Sequence, residues 1–233
     1  MIAENLKQLR DRINVQCAAS GRRAEEIKII AVSKYFGIDA ITEANNLDIK
    51  DFGENKAQEL RDKFELLGNK VNWHFIGTLQ RNKAKYVVKA ASLIHSVDSL
   101  SLADEINKQA AKNDKVQDFL LEIKTSFEET KAGLNQAEQI INLVEHCKTL
   151  SNINLMGLMT MAPYTDDEQL IRKSFSELRK LKDKINQQGI NLTELSMGMT
   201  SDFKIAIDEG ATMLRIGSAI FGQRDYAKDW RAI

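Results

Sequence analysis

The sequence predicts an α/β fold, a single TIM-like (β/α)8 barrel. Three observations lead to it. A chain of 233 residues falls inside the range in which an α/β barrel forms one domain. Eight short apolar runs alternate with longer segments of helical periodicity, the pattern of parallel strands joined by crossover helices. Two of the runs, Ile29-Ile30-Ala31-Val32 and Leu155-Met156-Gly157-Leu158-Met159, are apolar on successive positions, as strands covered on both faces require. A doubly wound open sheet uses the same local grammar, and periodicity leaves that alternative standing.

In chain order, a helix over 2–19 precedes the first strand at 27–33. Strands follow at 49–53, 72–77, 92–97 and 117–124. Between the fourth and fifth, Leu102, Ile106 and Ala110 recur at four-residue steps, the spacing of a helix with one buried stripe. The sixth strand is expected at 152–158. The helix after it carries Ile171, Phe175, Leu178, Leu181 and Ile185 at three- and four-residue steps, and Thr165-Asp166-Asp167-Glu168 ahead of it has the residue types of a capping box. Strands at 193–197 and 212–216 complete the set. Glycine punctuates the chain without clustering, Pro163 is the single proline, and no low-complexity linker or repeat marks a boundary, so residues 1–233 are expected to form one domain.

Composition narrows the function classes. Lys plus Arg and Asp plus Glu both count 33, so no global charge draws the chain to a polyanion. The basic positions Arg81, Lys83, Lys85 and Lys89 read as a solvated helix face rather than a nucleic-acid site. Cys17 and Cys147 form no CxxC pair and read as buried free thiols, and His74, His95 and His146 lack metal-ligand spacing. No basic leader followed by an apolar stretch opens the chain, and no run approaches the ~18 apolar residues of a membrane span, so a cytoplasmic location is expected.

In either α/β architecture, chemistry gathers at the C-terminal ends of the strands. The residues expected there are Ser33-Lys34-Tyr35, Phe52-Gly53-Glu54-Asn55, His74-Phe75-Ile76-Gly77, Glu122-Ile123-Lys124-Thr125, Ser196-Met197-Gly198-Met199-Thr200-Ser201-Asp202 and Leu214-Arg215-Ile216-Gly217-Ser218-Ala219-Ile220-Phe221-Gly222. The last two loops offer a phosphate cradle: Gly198 and Gly217 permit close backbone approach, and Thr200, Ser201 and Ser218 carry hydroxyl donors. Two ordinary turns with N-capping hydroxyls would read the same way. Lys34 follows Ser33 at the end of an apolar strand, where desolvation would lower its pKa and free the amine as a nucleophile; a lysine snorkelling to solvent is the alternative. Arg215 lies inside an apolar strand, and a buried guanidinium needs acceptors, either a ligand or a barrel carboxylate.

Together these motifs resemble the pyridoxal phosphate homeostasis protein family over nearly the whole chain. The resemblance rests on Ala31-Val32-Ser33-Lys34, Phe52-Gly53-Glu54-Asn55 with Gln58-Glu59, and Trp73-His74-Phe75-Ile76-Gly77-Thr78-Leu79-Gln80-Arg81-Asn82-Lys83. It continues through Gly157-Leu158-Met159-Thr160-Met161-Ala162, Leu195-Ser196-Met197-Gly198-Met199-Thr200-Ser201-Asp202 and Arg215-Ile216-Gly217-Ser218-Ala219-Ile220-Phe221-Gly222. It implies a fold-type III barrel like the N-terminal domain of alanine racemase, without that enzyme's C-terminal β domain. It implies pyridoxal 5′-phosphate (PLP) as cofactor, held as a Schiff base on Lys34, with Arg215 at the pyridine nitrogen. The phosphate would rest on Met199-Thr200 and Gly217-Ser218, and Asn55 and His74 would border the cofactor. Tyr35, Lys56, Thr200 and Lys131-Ala132-Gly133 depart from the family pattern without removing the amine or the cradle.

The same resemblance implies a carrier that stores, delivers or buffers PLP without robust catalysis. An arginine, always charged, cannot take the ring proton, which weakens the electron sink that carbanion chemistry uses. Racemisation also needs a second base opposite the lysine, supplied in alanine racemases by an additional domain for which the chain, ending soon after its eighth strand, has no room. The absent domain also points to a monomer. Free amino acids and PLP-dependent apoenzymes are the expected partners. The alternatives are a slow amino-acid racemase using Tyr35 or Tyr164, and a barrel for another phosphate ester.

Overall fold

The computed structural model describes residues 1–125, 133–223 and 230–232. Its strands are β1 (Lys28–Val32), β2 (Asp51–Glu54), β3 (Asn72–Phe75), β4 (Leu93–Val97), β5 (Gln117–Glu122), β6 (Ile153–Met159), β7 (Glu194–Ser196) and β8 (Met213–Ile216). Every strand end lies within two residues of the sequence expectation. Helix α1 (Ile2–Ala19) precedes β1, and α2 (Ile38–Asn46), α3 (Ala57–Leu67), α4 (Ala84–Ala90) and α5 (Leu100–Lys112) follow the first four strands. The rest are α6 (Ala137–Cys147), α7 (Glu168–Asn186), α8 (Phe203–Asp208) and α9 (Ser218–Phe221).

Closure is decided by one pairing. β1 and β8 run parallel in register from Lys28 opposite Met213 to Ala31 opposite Ile216, which joins the strands into a barrel in the order of the chain. An open sheet would leave two edges there with unpaired N–H and C=O groups. Gly157 permits the approach of β6 to β7, since a Cβ at that position would lie 2.0 Å from the carbonyl oxygen of Glu194.

Alternation along the strands separates two cores. Outward residues such as Phe52, Trp73, Phe75 and Phe119 meet the helices, with Leu102, Ile106 and Ala110 of α5 and Ile171, Phe175, Leu178 and Ile185 of α7 buried against them. Inward residues Ile30, Leu93, Leu120, Met159 and Met213 form a separate small cluster inside the barrel. Helix α1 buries Leu6, Leu9, Ile13 and Cys17 and packs on α8 and α9, tied by Asn5 Nδ2 donating to the Ile220 carbonyl at 2.9 Å. Both cysteines are buried free thiols. Arg81, Lys85 and Lys89 are exposed around α4, as a solvated face requires.

The start of α7 differs from the capping-box expectation. Asp167 is the N-cap, and its carboxylate accepts from the backbone N–H groups of Gln169 and Leu170. Thr165 instead accepts from the Asp167 N–H. A carboxylate nearest the positive helix end outcompetes a hydroxyl two residues earlier, and the helix begins at Glu168.

Candidate functional site

Lys34 stands in the turn after β1, half-buried, between two residues that are pinned from below. Beneath that turn lies a buried ionic cluster. Lys63 of α3, fully enclosed, donates through Nζ to the Ser33 carbonyl, Glu54 Oε1 and Glu59 Oε1, each at 2.8 Å. Ser33 Oγ donates to Glu54 Oε1 at 2.6 Å, and the Tyr35 N–H donates to Glu59 Oε1 at 2.7 Å. Burial pushes the Glu54 carboxyl up to about 7, with the Lys63 ammonium pulling the other way. Tyr35 takes a φ of +70°, a costly conformation for a non-glycine residue, held by that N–H bond to Glu59. Lys56 Nζ sits 4.8 Å from the centroid of the Tyr35 ring, so two departures from the family pattern meet as a cation–π pair.

Register sets what lies beside this lysine. Val32 pairs with Gly53, so Lys34, two residues on, is level with Asn55 beyond β2. Ala31 pairs with Ile216, so the turn also neighbours the segment after β8. The rings of Phe36 and Phe221 stack there at 4.8 Å, closing the Lys34 turn against α9. The loops after β7 and β8 meet in turn: Ser218 Oγ donates to Thr200 Oγ1 at 3.2 Å, and the Ala219 N–H lies 3.4 Å from the same oxygen. Gly198 makes that approach possible. Its φ is +98°, its carbonyl accepts from the Arg215 N–H, and a Cβ there would stand 2.6 Å from that of Ala206. Met199 is partly exposed, and its N–H is held by Asp202 Oδ1.

Arg215 is buried inside the barrel below this mouth. Its Nη1 donates to the carbonyl and hydroxyl oxygens of Ser196 at 2.7 Å, and its Nη2 to the Thr160 carbonyl at 2.8 Å. Burial pushes the guanidinium down to about 10, against Asp202 and Glu122, so it stays protonated at neutral pH. The carboxylate partner left open by the sequence is therefore replaced by two carbonyls and a hydroxyl.

Lys34, Asn55, Met199, Thr200, Gly217 and Ser218 thus come together at the C-terminal mouth, with Arg215 beneath them. His74 does not join them at this mouth. Its side chain faces the interior toward the opposite mouth and lines a cavity of about 260 Å³ with Lys28, Asp51, Asn72 and Met213 from strand starts. Both of its ring nitrogens are engaged, by Asp51 and by His95, each at 2.9 Å. Sequence reading missed His95 and Asp51, and it placed Ser196 and Glu122 at strand ends without giving either a role; the period-two inward parity of polar residues within apolar strands was the available signal. Lys131 and Ala132 lie outside the described residues.

Residues 2–225 match the alanine racemase N-terminal domain family, so fold and site define a barrel of that class. A pyridoxal phosphate homeostasis protein of Aquifex aeolicus is 42% identical over 225 residues, spanning 96% of this chain and 98% of that protein. The chain belongs to the pyridoxal phosphate homeostasis protein family. PipY of Synechococcus elongatus, solved with PLP bound, matches with a TM-score of 0.84 at 33% identity, over 95% of this chain and 100% of that one. An alanine racemase of Clostridium difficile shares the fold, with a TM-score of 0.78 at 18% identity over 98% of this chain and 58% of its own.

Proposed function

We propose that this protein binds pyridoxal 5′-phosphate at the C-terminal mouth of its barrel, captures the aldehyde on Lys34, and serves PLP homeostasis by storing, delivering or buffering the cofactor. The convergence of Lys34, Asn55, Thr200 and Ser218 from four loops above a buried Arg215 carries this reading. The residues fit the group. Asn55 Oδ1 is buried with no hydrogen-bond partner among the described residues, which a polar ligand at the mouth would satisfy. Arg215 Nε makes no hydrogen bond among the described residues either, leaving a donor for a ring nitrogen.

Bound PLP supplies an aldehyde that condenses with a primary amine, with loss of water. Lys34 provides that amine, and the Lys63–Glu54–Glu59 cluster holds its turn in place. Thr200 and Ser218 donate to phosphate oxygens while Gly217 admits them close to the backbone. Arg215 donates to the ring nitrogen without surrendering a proton, so the ring stays a weak electron sink and carriage is favoured over catalysis. A slow racemase would need a base opposite Lys34. Of its two candidates, Tyr164 stands fully exposed and Tyr35 carries Lys56 over its ring.

Among the described residues no helix is long and apolar enough to cross a membrane. The proposed setting is the cytoplasm, with the protein acting as a monomer, taking up PLP and free amino acids and passing the cofactor to PLP-dependent apoenzymes. Titration of the purified protein with PLP should produce a visible absorbance band, fixed by borohydride on the peptide that contains Lys34. Lys34→Ala should abolish the band; its persistence would overturn the site. Cα deuterium exchange of amino acids at about one turnover per second would overturn the carrier role.

A further inference from the structure

Five side chains from five strands form one hydrogen-bonded chain through the barrel interior. Arg215 of β8 donates to Ser196 Oγ of β7 at 2.7 Å, and that oxygen lies 2.9 Å from His95 Nδ1 of β4. His95 Nε2 lies 2.9 Å from His74 Nδ1 of β3, and His74 Nε2 lies 2.9 Å from Asp51 Oδ1 of β2. The two ends dictate every role between them. A carboxylate only accepts, so His74 carries its proton on Nε2 and offers a bare Nδ1 to the Nε2–H of His95. His95 then accepts at Nδ1 from the Ser196 hydroxyl, whose oxygen remains as acceptor for Arg215. Burial lowers the pKa of both histidines, and each is neutral at pH 7, as this arrangement requires. No carboxylate contacts Arg215 directly among the described residues, although a buried guanidinium without a counter-charge is costly.

We propose that Asp51, His74, His95 and Ser196 are positioning residues for the cofactor, carrying the charge of Asp51 through the barrel to Arg215 and holding its guanidinium at the ring-nitrogen end of the site. The proposal rests on the reading of the mouth as a PLP site. It gives the polar residues of the barrel interior a role that apolar filling could not supply, because a chain of dipoles aligned head to tail polarises each member.

Two measurements test it. In ¹⁵N-histidine NMR of the PLP-free protein at neutral pH, His74 and His95 should both be Nε2–H tautomers; an Nδ1–H tautomer or an imidazolium at either position overturns the relay. In PLP titrations, Ser196→Ala and Asp51→Asn should each weaken binding by about tenfold, the effect of losing one charge-assisted hydrogen bond. Both should also shift the absorbance maximum of the bound cofactor, and Asp51→Glu should recover most of each change. Affinities within about twofold of the native protein and unshifted spectra, in variants with native circular dichroism, overturn the positioning role alone. If the native protein takes up no PLP, the reading of the mouth fails and the positioning role with it. Should both variants fail to fold, the tautomers of the native protein decide.

Discussion

Glu122 ends β5 two residues beyond Leu120 of the interior cluster and is 4% exposed. Burial pushes its carboxyl up to about 7, reinforced by Asp98 and opposed by Arg215. The folded protein therefore holds this proton at pH values where the unfolded chain, with an ordinary carboxyl, has released it. Stability from this group falls as pH rises from about 4.5 to about 7. His74 and His95 act in the opposite sense: their lowered values make the unfolded chain the better proton binder, so stability is lost as pH falls below the ordinary histidine range. The Glu122 contribution is isolated by comparing Glu122→Gln with the native protein. The variant should gain relative stability between pH 5 and pH 7.5, on the order of 2–3 kcal/mol. Urea unfolding at the two pH values measures it, and a pH-independent difference would show that Glu122 is ionised in the fold.

At the scale of elements, the short loops at the mouth are held by side-chain contacts to rigid helices and strands. The Lys34 turn is fixed by α3 and by the Phe36–Phe221 stack, and the β7 loop by Asp202 and by the bend at Gly198. Helix α7 has a single-residue anchor. Asp167→Ala should cost about 1 kcal/mol of stability, since two first-turn N–H groups lose their acceptor, whereas Glu168→Ala should cost little because no reciprocal capping box forms. Thermal denaturation of both variants distinguishes these outcomes. The Thr-Asp-Asp-Glu string carried the residue types for a cap, but which oxygen reaches the helix end depends on the path of the loop before it.

For the molecule as a whole, closure has a consequence for dynamics. Because β1 and β8 pair, neither is an edge, and Ile30, Ala31, Leu214 and Ile216 are fully enclosed. Backbone amides in both strands should exchange with deuterium only through global unfolding, at one common free energy. Faster exchange of either strand, by several orders of magnitude, would indicate an openable seam. Closure also creates the interior in which the polar relay runs, a route from one mouth to the other that an open sheet could not enclose.

Much of this was readable from residues alone. Strand placement follows from local hydrophobicity, which survives into any fold built from those segments, and the strand ends named Lys34, Thr200, Gly217 and Ser218 because α/β proteins put their chemistry there, whereas Asn55 was named through the family resemblance. The inward position of Arg215 followed from the cost of burying its charge. What only the tertiary structure decided was closure over an open sheet, the lysine cluster under the Lys34 turn, and the place of His74. Twenty-one residues separate His74 from His95 in the chain, and parallel pairing of β3 and β4 puts their rings in hydrogen-bond contact. Period and polarity say which residues point inward. They do not say at what height along the barrel axis each inward group sits, because strand register comes from long-range pairing.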